Sequence, residues 1–302
     1  MSTAVLGAGF IGLNYIRRAV AQGDTIRVLD HKPAPEDLVG RVQWIVGNFG
    51  CVEDLRRAID GVDTVFHFVS STVPGDEVDV AEELRQNVFQ TIQLLDLCVE
   101  QRLSQVIFTS SSSVYGVQAE LPIAETAATD PISAHGIHKL TIEKYLQLYQ
   151  HHHGLDCRIV RLSNPFGPGQ RVTGRQGFIA IAIGHMLSGD AMTVRGDGST
   201  IRDFIYIDDV IDALRLVMRS PTTDRIFNVA SGRGYSLNQV IAALGELTGV
   251  PISVDYAESR FVDIPASILD INRVRSISGF EPKHTLAEGL ALTLAAHGIP
   301  LA

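Results

Sequence analysis

Three glycines near the start of the chain have a spacing that suits phosphate binding. The apolar run Thr3–Leu6 leads into the motif G-x-G-x-x-G, which is formed by Gly7, Gly9 and Gly12. The first glycine of such a motif allows a tight turn, the second lets the backbone approach a pyrophosphate, and the third lets a helix pack closely on the strand. Phe10 and Ile11 begin an amphipathic segment, whose free N–H groups would face the phosphates. The order of strand, turn and helix predicts a dinucleotide-binding site.

An acidic residue follows at the distance that such a site requires. Asp30 ends a second apolar run and stands 18 residues after Gly12. A carboxylate at this place bonds the 2′-hydroxyl of an adenosine ribose, and it would repel a 2′-phosphate. The pattern therefore favours NAD over NADP, although the nearby Lys32 weakens that preference.

The composition is typical of a soluble globular enzyme. Of the 302 residues, 45% are hydrophobic and 20% are charged, and the net charge is −9. This charge argues against nucleic acid as the main partner, because phosphate backbones require a basic face. No apolar run of 18 residues occurs and the first residues already have a strand pattern, so we expect neither membrane insertion nor secretion.

Cysteine and histidine usage predicts no special chemistry. Cys51, Cys98 and Cys157 are far apart and form no C-x-x-C pair, which indicates reduced thiols in a cytoplasmic protein. The run His151–His153 precedes Gly154 and is interpreted as the exposed end of a helix, where cations are favourable. We therefore predict no metal site.

Short β-branched runs alternate with helical patterns through the first half of the chain. The runs, interpreted as strands, are 3–6, 25–30, 42–46, 63–69, 105–109 and 157–162. The helical patterns lie at 10–22, 52–60, 78–101 and 133–152. Such alternation indicates parallel strands joined by right-handed crossovers, with helices on both faces. We therefore predict an α/β fold with a Rossmann-type doubly wound parallel sheet, which binds its ligand beyond the carboxyl ends of the strands.

The pattern changes after residue 163. Residues 164–170 have the composition of a loop, and Asp208 is expected to cap a helix that ends at Arg219. Further strands are predicted at 202–207, 226–229 and 252–255, and further helices at 176–188, 236–248 and 285–296. Because no linker is visible, we predict two interleaved domains. Residues 1–163 and 203–229 would bind NAD, and 164–202 and 230–302 would form a smaller C-terminal substrate-binding α/β domain.

The chain resembles the extended short-chain dehydrogenase/reductases that act on nucleotide sugars, and within them the NAD-dependent epimerase/dehydratase group. The matching stretches follow the family's order over nearly the whole length: Gly9–Gly12, Val28–Asp30, Asn87–Val88, Ser110–Gly116, Lys139–Leu140, Asn164–Gln170, Gly196–Gly198, Arg202–Val210 and Arg260–Asp263. The resemblance implies NAD as cofactor, a nucleotide sugar as substrate and a homodimer formed through the helices 78–101 and 133–152. Burial in a monomer would give these helices the same pattern.

Oxidation of a sugar hydroxyl needs a base, a lysine for the nicotinamide ribose, and a hydroxyl that steers the same sugar oxygen. The base must lie about 2.6–3.2 Å from the hydroxyl whose proton it removes. The lysine charge helps to keep that base deprotonated. The resemblance implies that Ser111 is the steering hydroxyl and that Lys139 is the lysine.

The main departure from the family pattern is His135, which stands four residues before Lys139 where the family has its tyrosine base. A free imidazole has a pKa of about 6.5 and a phenol one of about 10, so a histidine is already a base at neutral pH. The imidazole is shorter, however, and its nitrogen would fall about 2 Å short of the phenolic oxygen's place. His135 could act through a water, or Tyr115 or His138 could replace it, or the chain could bind its ligands and turn over poorly. A purely structural His135 is the remaining alternative.

Further contacts are implied by the resemblance and by the ends of the predicted strands. Cofactor contacts beyond the glycine turn, Asp30 and Lys139 are expected from Asn48, Phe49, Phe68, Ser70 and Asn87. Asn48 replaces an aspartate that usually reads the adenine, and its amide oxygen can still accept a hydrogen bond. The resemblance places Arg202 and Arg260 at phosphate contacts, where guanidinium groups pair oxygens two at a time. It also places Asn164 in the same region and Asp263 at a ribose hydroxyl.

Ser112 and Ser113 restrict the type of reaction. Dehydratases that the chain resembles have an Asp-Glu pair at these positions, and the decarboxylases have a glutamate at the second. Serines cannot do the acid/base work of carboxylates. We therefore predict C4 epimerisation of a UDP-hexose or UDP-N-acetylhexosamine by transient oxidation and re-reduction. The alternatives are a 4-ketoreductase and a protein that binds NAD and a sugar nucleotide but is catalytically impaired at His135.

Overall fold

The computed structural model describes residues 2–71, 79–174, 176–259 and 264–302. They form two compact units. The first comprises Met1–Val114, Ser133–Arg161 and Pro221–Phe227, and the second comprises Tyr115–Ile132, Leu162–Ser220 and Asn228–Ala302. The two units are interleaved in sequence, but their boundaries differ from the predicted ones. Residues 115–132 and 203–220 group with the second unit, so the predicted division into binding domains stays a prediction.

A seven-stranded parallel sheet forms the centre of the first unit. Its strands, in chain order, are β1 Ser2–Leu6, β2 Thr25–Asp30, β3 Gln43–Val46, β4 Thr64–His67, β5 Gln105–Ser111, β6 Asp156–Leu162 and β10 Ile226–Val229. They lie in the order β10-β6-β5-β4-β1-β2-β3. The helices are α1 Phe10–Ala21, α2 Val52–Ile59, α3 Val80–Leu84, α4 Gln90–Glu100 and α5 Ala134–His153. Short 3-10 helices lie at Glu36–Leu38 and Ser112–Tyr115, and a π-helical turn lies at Arg85–Phe89.

Strand β1 is the centre from which the sheet is wound in both directions. Val5 lies opposite Val28 of β2 on one side and opposite Phe66 of β4 on the other. Ala4, Val5 and Leu6 are fully buried, which explains why the run is continuously apolar rather than alternating. The strand order reverses between β1 and β4, and ligands of doubly wound sheets bind beside such a reversal. The predicted fold class is confirmed.

The second unit is built on a smaller sheet around β9. Its strands are β7 Asn164–Phe166, β8 Met192–Arg195, β9 Ile201–Tyr206, β11 Gly234–Ser236, β12 Val254–Ala257 and β13 Ala266–Ser267. Strand β9 pairs with β7 and β13 in parallel and with β11 antiparallel, and β12 pairs separately with β8. The helices are α6 Phe178–Ser188, α7 Ile207–Arg219, α8 Leu237–Thr248, α9 Asn272–Ser278 and α10 Leu286–Ala296.

Several local predictions in this unit were wrong or incomplete, and strands β8, β11 and β13 were not predicted. Residues Asn164–Phe166, predicted as part of a loop, pair with β9, because a Pro-containing segment can still form an edge strand. Asp208 does not cap α7, since the helix begins at Ile207 and Tyr206 is its N-cap. Asp208 instead lies in the first turn, where its charge is favourable. Helix α9 was not predicted, because its seven residues are too short for a periodic pattern.

None of the helices in the described part of the chain is both long enough and apolar enough to cross a membrane.

Candidate functional site

The glycine turn after β1 has the geometry that its sequence predicted. Gly7 has a φ of +91°, and its N–H donates to the carbonyl of Leu29 at 3.0 Å. A Cβ on Gly12 would lie 2.1 Å from the carbonyl oxygen of Gly7, so only glycine lets α1 start this close to β1. A Cβ on Gly9 would meet nothing within 4 Å. The turn is therefore tight on the protein side and open at Gly9, which fits a pyrophosphate approached by backbone.

Asp30 connects the end of β2 to this turn. Its Oδ2 accepts a hydrogen bond from the N–H of Ala8 at 2.7 Å, and its Oδ1 accepts one from the N–H of Lys32 at 2.9 Å. A carboxylate has about four acceptor sites, so both oxygens can also accept from ribose hydroxyls. Asp30 thus fits the predicted role and also orients the turn.

Two further predicted cofactor contacts follow the end of β3. Asn48 is exposed after β3, and its side-chain oxygen accepts the N–H of Gly50 at 2.8 Å. Phe49 is buried, with its ring 4.9 Å from that of His67. Burial lowers the pKa of His67 to about 3, with a contribution from the charge of Lys139. Asn48 is accessible to an adenine, whereas Phe49 packs in the core.

The loop after β4 is held by a buried amide. Asn87 accepts the N–H of Ser71 at 3.0 Å, and its amide nitrogen donates to the hydroxyl of Ser71 at 2.8 Å. Phe68 packs on Phe66 with the ring centroids 5.6 Å apart, and Ser70 is exposed. Asn87 therefore shapes the loop that presents Ser70.

Lys139 lies in the interior between α5 and β5. Its Nζ donates to the carbonyl of Thr109 at 2.8 Å and lies 4.6 Å from the centre of the Phe108 ring. Burial lowers its pKa to about 8, and the charge of Glu143 partly opposes this shift. The amine is thus held near the end of β5, and its role in ribose binding stays a prediction.

Ser111 ends β5 two residues after Thr109. Its Oγ accepts the N–H of Ser113 at 3.2 Å and is hydrogen-bonded to the hydroxyl of Ser113 at 2.9 Å. Sequence reasoning considered Ser113 only as a missing carboxylate and did not predict this pair. A serine two residues after the steering hydroxyl was the signal that could have indicated it.

His135 lies in the first turn of α5, whose N-cap Ser133 accepts the N–H of Gly136 at 3.2 Å. It is one helical turn before Lys139 and so lies on the same face of the helix. Its Nδ1 is buried and has no hydrogen-bond partner among the described residues. Burial lowers the pKa of His135 to about 3, and the charges of Lys139 and His138 contribute. His135 is neutral at neutral pH and a weak base.

The two suggested replacements for His135 differ. Tyr115 is fully buried in the second unit and donates its hydroxyl to the side-chain oxygen of Asn228 at 2.7 Å. Full burial and this hydrogen bond argue against Tyr115 as a replacement base, and its role stays a prediction. His138 is 3% exposed, and its Nδ1 also has no partner in the described part of the chain. Burial lowers the pKa of His138, against an opposing effect of Glu83.

Of the described residues predicted to bind substrate, Ser111 belongs to the first unit, and Asn164 and Arg202 belong to the second. Arg202 donates to the carbonyls of Ile201 and Ile264 at 2.8 and 2.7 Å, which orients its guanidinium group. Asn164 donates its amide to the carbonyl of Asp203 at 3.0 Å. Arg260 and Asp263 lie outside the described residues, so their roles stay predictions.

A buried ion pair supports the helix that carries these groups, and sequence reasoning missed it. Glu143 and Arg161 are 1% and 3% exposed, and their closest atoms are 2.6 Å apart. Ser110 donates to Glu143 at 2.5 Å. Glu143 stands four residues after Lys139, and this spacing was the available signal.

The three cysteines are free thiols, as predicted. Burial raises the pKa of Cys157 to about 12 and that of Cys98 still further, so both are unreactive. In the ranges that the structure describes, no group of three or more His, Cys, Asp or Glu side chains could hold a metal ion.

A doubly wound sheet with this glycine turn and a lysine at the end of β5 defines a dinucleotide-dependent enzyme of the Rossmann type. Residues 4–230 match the NAD dependent epimerase/dehydratase family, and the chain belongs to that family. The prediction of NAD as the cofactor is confirmed with it.

Its relatives include epimerases over the full length. A UDP-glucose 4-epimerase of Mycolicibacterium smegmatis is 30% identical over 305 residues, which cover 97% of each chain. The crystal structure of a UDP-glucose 4-epimerase from Thermotoga maritima with UDP-glucose has a TM-score of 0.92, is 30% identical and covers 99% of each chain. A UDP-glucose 4-epimerase from Thermus thermophilus in complex with NAD has a TM-score of 0.90, is 28% identical and covers 98% of each chain.

Proposed function

We propose that this protein is an NAD-dependent nucleotide-sugar 4-epimerase that acts on a UDP-hexose or UDP-N-acetylhexosamine. The observation that carries the proposal is the arrangement at the end of β5. Lys139 is anchored at 2.8 Å on the carbonyl of Thr109, Ser111 follows two residues later, and Ser112 and Ser113 bring no carboxylate. Without a carboxylate there is no group for dehydration or decarboxylation, which leaves oxidation and re-reduction at one carbon.

Each side chain has a defined task in this reaction. Bound NAD would supply the hydride acceptor and donor for C4. Lys139 would hold the nicotinamide ribose, and Ser111 would orient the C4 oxygen through its hydroxyl. Asp30 would bind the adenosine ribose, while Arg202 and Asn164 would contact the diphosphate region. Support comes from the family and from full-length relatives that are named as UDP-glucose 4-epimerases.

Proton transfer is the weak step. His135 stands at the position of the base, but the low pKa of about 3 leaves it little affinity for the proton of a sugar hydroxyl. It also lacks a partner that would stabilise the imidazolium once formed, because no described residue bonds its Nδ1. We therefore propose slow turnover, limited at His135.

The test compares the protein with His135→Tyr, each incubated with NAD and UDP-glucose or UDP-N-acetylglucosamine while the C4 epimer is followed by NMR. The tyrosine variant is expected to be faster by about 10²–10⁴-fold, the usual contribution of a positioned general base. His151→Tyr, at an exposed position on the same helix, is the matched control and should leave the rate of epimer formation unchanged.

Each outcome is informative. Equal rates for the His and Tyr forms would show a working base other than a tyrosine at 135, and a pH profile would then test the imidazole. Turnover by the Tyr form alone would describe the parent chain as a binding-competent but impaired epimerase. Absence of turnover in both forms would refute the epimerase proposal. In a separate assay with NADH and a 4-keto sugar nucleotide, stoichiometric consumption of NADH would favour a 4-ketoreductase.

We also propose a homodimer formed through the helical layer of the first unit. Five large apolar side chains in the described part of the helices predicted at 78–101 and 133–152 are exposed: Val80, Leu84, Phe89, Ile137 and Leu148. Sedimentation of the full chain at micromolar concentration tests this, since a monomer would contradict it.

The buried, unreactive thiols of Cys98 and Cys157 agree with the predicted cytoplasmic location.

A further inference from the structure

The carboxylate of Asp203 is fully buried in the second unit, and four donors bond it. Its Oδ1 accepts the N–H and the hydroxyl of Ser231, at 2.9 and 2.7 Å. Its Oδ2 accepts the N–H of Gly232 at 3.0 Å and the N–H of Leu269 at 3.4 Å. A carboxylate has about four acceptor sites, so these donors fill it. Asp203 therefore bonds to the protein itself and has no acceptor site left for a ligand.

This arrangement requires the ionised form of Asp203. A protonated carboxyl would turn a hydrogen of its own toward groups that need an acceptor. Burial raises the pKa of Asp203 to about 6, while the hydrogen bonds from Ser231, Gly232 and Leu269 oppose that shift. The carboxyl is therefore largely ionised at neutral pH, and its buried charge is tolerated because its hydrogen bonds are complete.

The same residue is connected to both predicted substrate contacts of the second unit. The backbone carbonyl of Asp203 accepts the side-chain amide of Asn164 at 3.0 Å. Arg202 precedes Asp203 on β9, and the carbonyls of Ile201 and Ile264 hold its guanidinium group. Consecutive side chains of a strand point to opposite faces. The carboxylate thus anchors β9 from one face, while Arg202 extends from the other.

The donors to the carboxylate come from two other segments of the same unit. Ser231 and Gly232 lie in the turn between β10 and β11, and Leu269 follows β13. Both β11 and β13 pair with β9. A slip of one residue in such a pairing would turn every side chain of the strand to the other face. Asp203 therefore fixes the register of the strand that carries Arg202 against both of these neighbours.

We propose that Asp203 is a positioning residue for binding of the diphosphate of the nucleotide sugar. Its carboxylate holds β9 in the register that directs Arg202, and its carbonyl orients the amide of Asn164. The inference rests on the proposed function, which places the diphosphate at Arg202 and Asn164. The proposed NAD contacts Asp30 and Lys139 belong to the first unit. A change at Asp203 should therefore weaken substrate binding and leave NAD binding intact.

The experiment compares the parent protein with Asp203→Asn, which keeps the size of the side chain but replaces one acceptor oxygen by a donor. UDP carries the diphosphate and no hexose that could be oxidised, so it is titrated calorimetrically into the NAD-loaded full chain. NAD is titrated into the cofactor-free chain. We expect the affinity for UDP to fall at least about tenfold, as the loss of hydrogen bonds to a charged group implies. The affinity for NAD should stay within about twofold, because distant sites act independently.

Asp209→Asn is the matched control. Asp209 is another buried carboxylate of the second unit, 1% exposed and hydrogen-bonded to the backbone and the ring of His284. It lies in α7 and has no bond to Asn164 or Arg202 among the described contacts. Asp209→Asn should leave the affinities for UDP and NAD unchanged. An equal loss of UDP affinity in both variants would overturn the inference, because Asp203 would then act only through the stability of the unit.

Ser231→Ala carries the test if Asp203→Asn does not fold. It removes one of the four donors to Asp203 and leaves the carboxylate in place. The affinity for UDP should fall about threefold, as the loss of one hydrogen bond implies, with NAD binding unchanged. Unchanged UDP affinity in Ser231→Ala, or in a folded Asp203→Asn, would overturn the inference. If the parent protein itself does not bind UDP, the proposed function is wrong and the inference falls with it.

Discussion

The two halves of helix α5 are stabilised in opposite ways. In the second half, Glu143 is buried, but both of its carboxylate oxygens are hydrogen-bonded: Arg161 donates to each of them, and Ser110 donates to Oε1. In the first half, His135 and His138 have buried ring nitrogens without partners among the described residues, and Lys139 has a single carbonyl acceptor for its buried amine.

The difference distinguishes residues that hold the helix in place from residues that are left for a ligand or a reaction. A buried charge is tolerated when its hydrogen bonds are complete, and such a network gives the helix one position against β5 and β6. Unpaired polar atoms are costly, and a fold keeps them where a ligand or a reaction uses them. The unsatisfied half of the helix is the half that carries the two predicted catalytic residues.

The largest expected effect on stability is in the second half of α5, where the hydrogen bonds of the buried Glu143 are complete. Arg161→Met should lower the free energy of unfolding by about 3–5 kcal/mol, because Glu143 would remain as an uncompensated buried charge. Arg158→Met, on the same strand, is the control: its partner Asp156 is 25% exposed and also pairs with Arg225. Its cost should be about 1 kcal/mol. Urea unfolding measures the free energy of unfolding of both variants. Equal losses would show that burial of the unpaired Glu143 charge does not set the cost.

A smaller effect of opposite sign is expected in the unsatisfied half. In the cofactor-free protein at pH 7, Lys139→Met should raise the unfolding free energy by about 1–2 kcal/mol, because it removes a charge held in the interior at the expense of one hydrogen bond. The pKa of Lys139 is about 8 when folded and about 10.4 when unfolded.

The pH dependence of this effect has a definite sign. Between pH 8 and about 10.4 the unfolded chain binds more protons than the folded one, so the parent gains stability as the pH rises, and the advantage of Lys139→Met disappears. Lys144→Met, an exposed lysine of the same helix, controls for the loss of a side chain. An advantage that stays constant from pH 7 to pH 10 would show that the burial of the charge is not its cause.

The smallest expected effect is the absence of titration at His135. Because the pKa of His135 is lowered to about 3, its ring should stay neutral between pH 8 and pH 5. Long-range ¹H–¹⁵N correlation spectra report both the charge and the tautomer of an imidazole, and signals lost in His135→Asn identify the residue. Protonation of His135 near neutral pH would contradict the distinction between the two halves.

Local patterns predicted the first unit well. Alternating apolar runs predicted the parallel sheet, and the glycine spacing predicted the turn between β1 and α1. The hydrogen bond from the N–H of Ala8 to Asp30 was not predicted. Strand β7 and the N-cap of α7 were missed, because pairing with β9 and the start of a helix depend on neighbours that are distant in sequence. The roles of Arg260 and Asp263 stay predictions.

The sequence by itself determined what depends on a few consecutive residues: the glycine turn, the acidic end of β2, and the presence of His135 four residues before Lys139. Only the tertiary structure decided the charge and the hydrogen bonding of these side chains. Burial sets the charge of Lys139 and keeps His135 neutral, and Asn228, 113 residues away, occupies the proton of Tyr115. The hydrogen bond between Ser111 and Ser113 likewise depends on the turn that brings Ser113 back to the end of β5. Residue types specify which protons exist, and packing decides which of them remain available to a ligand.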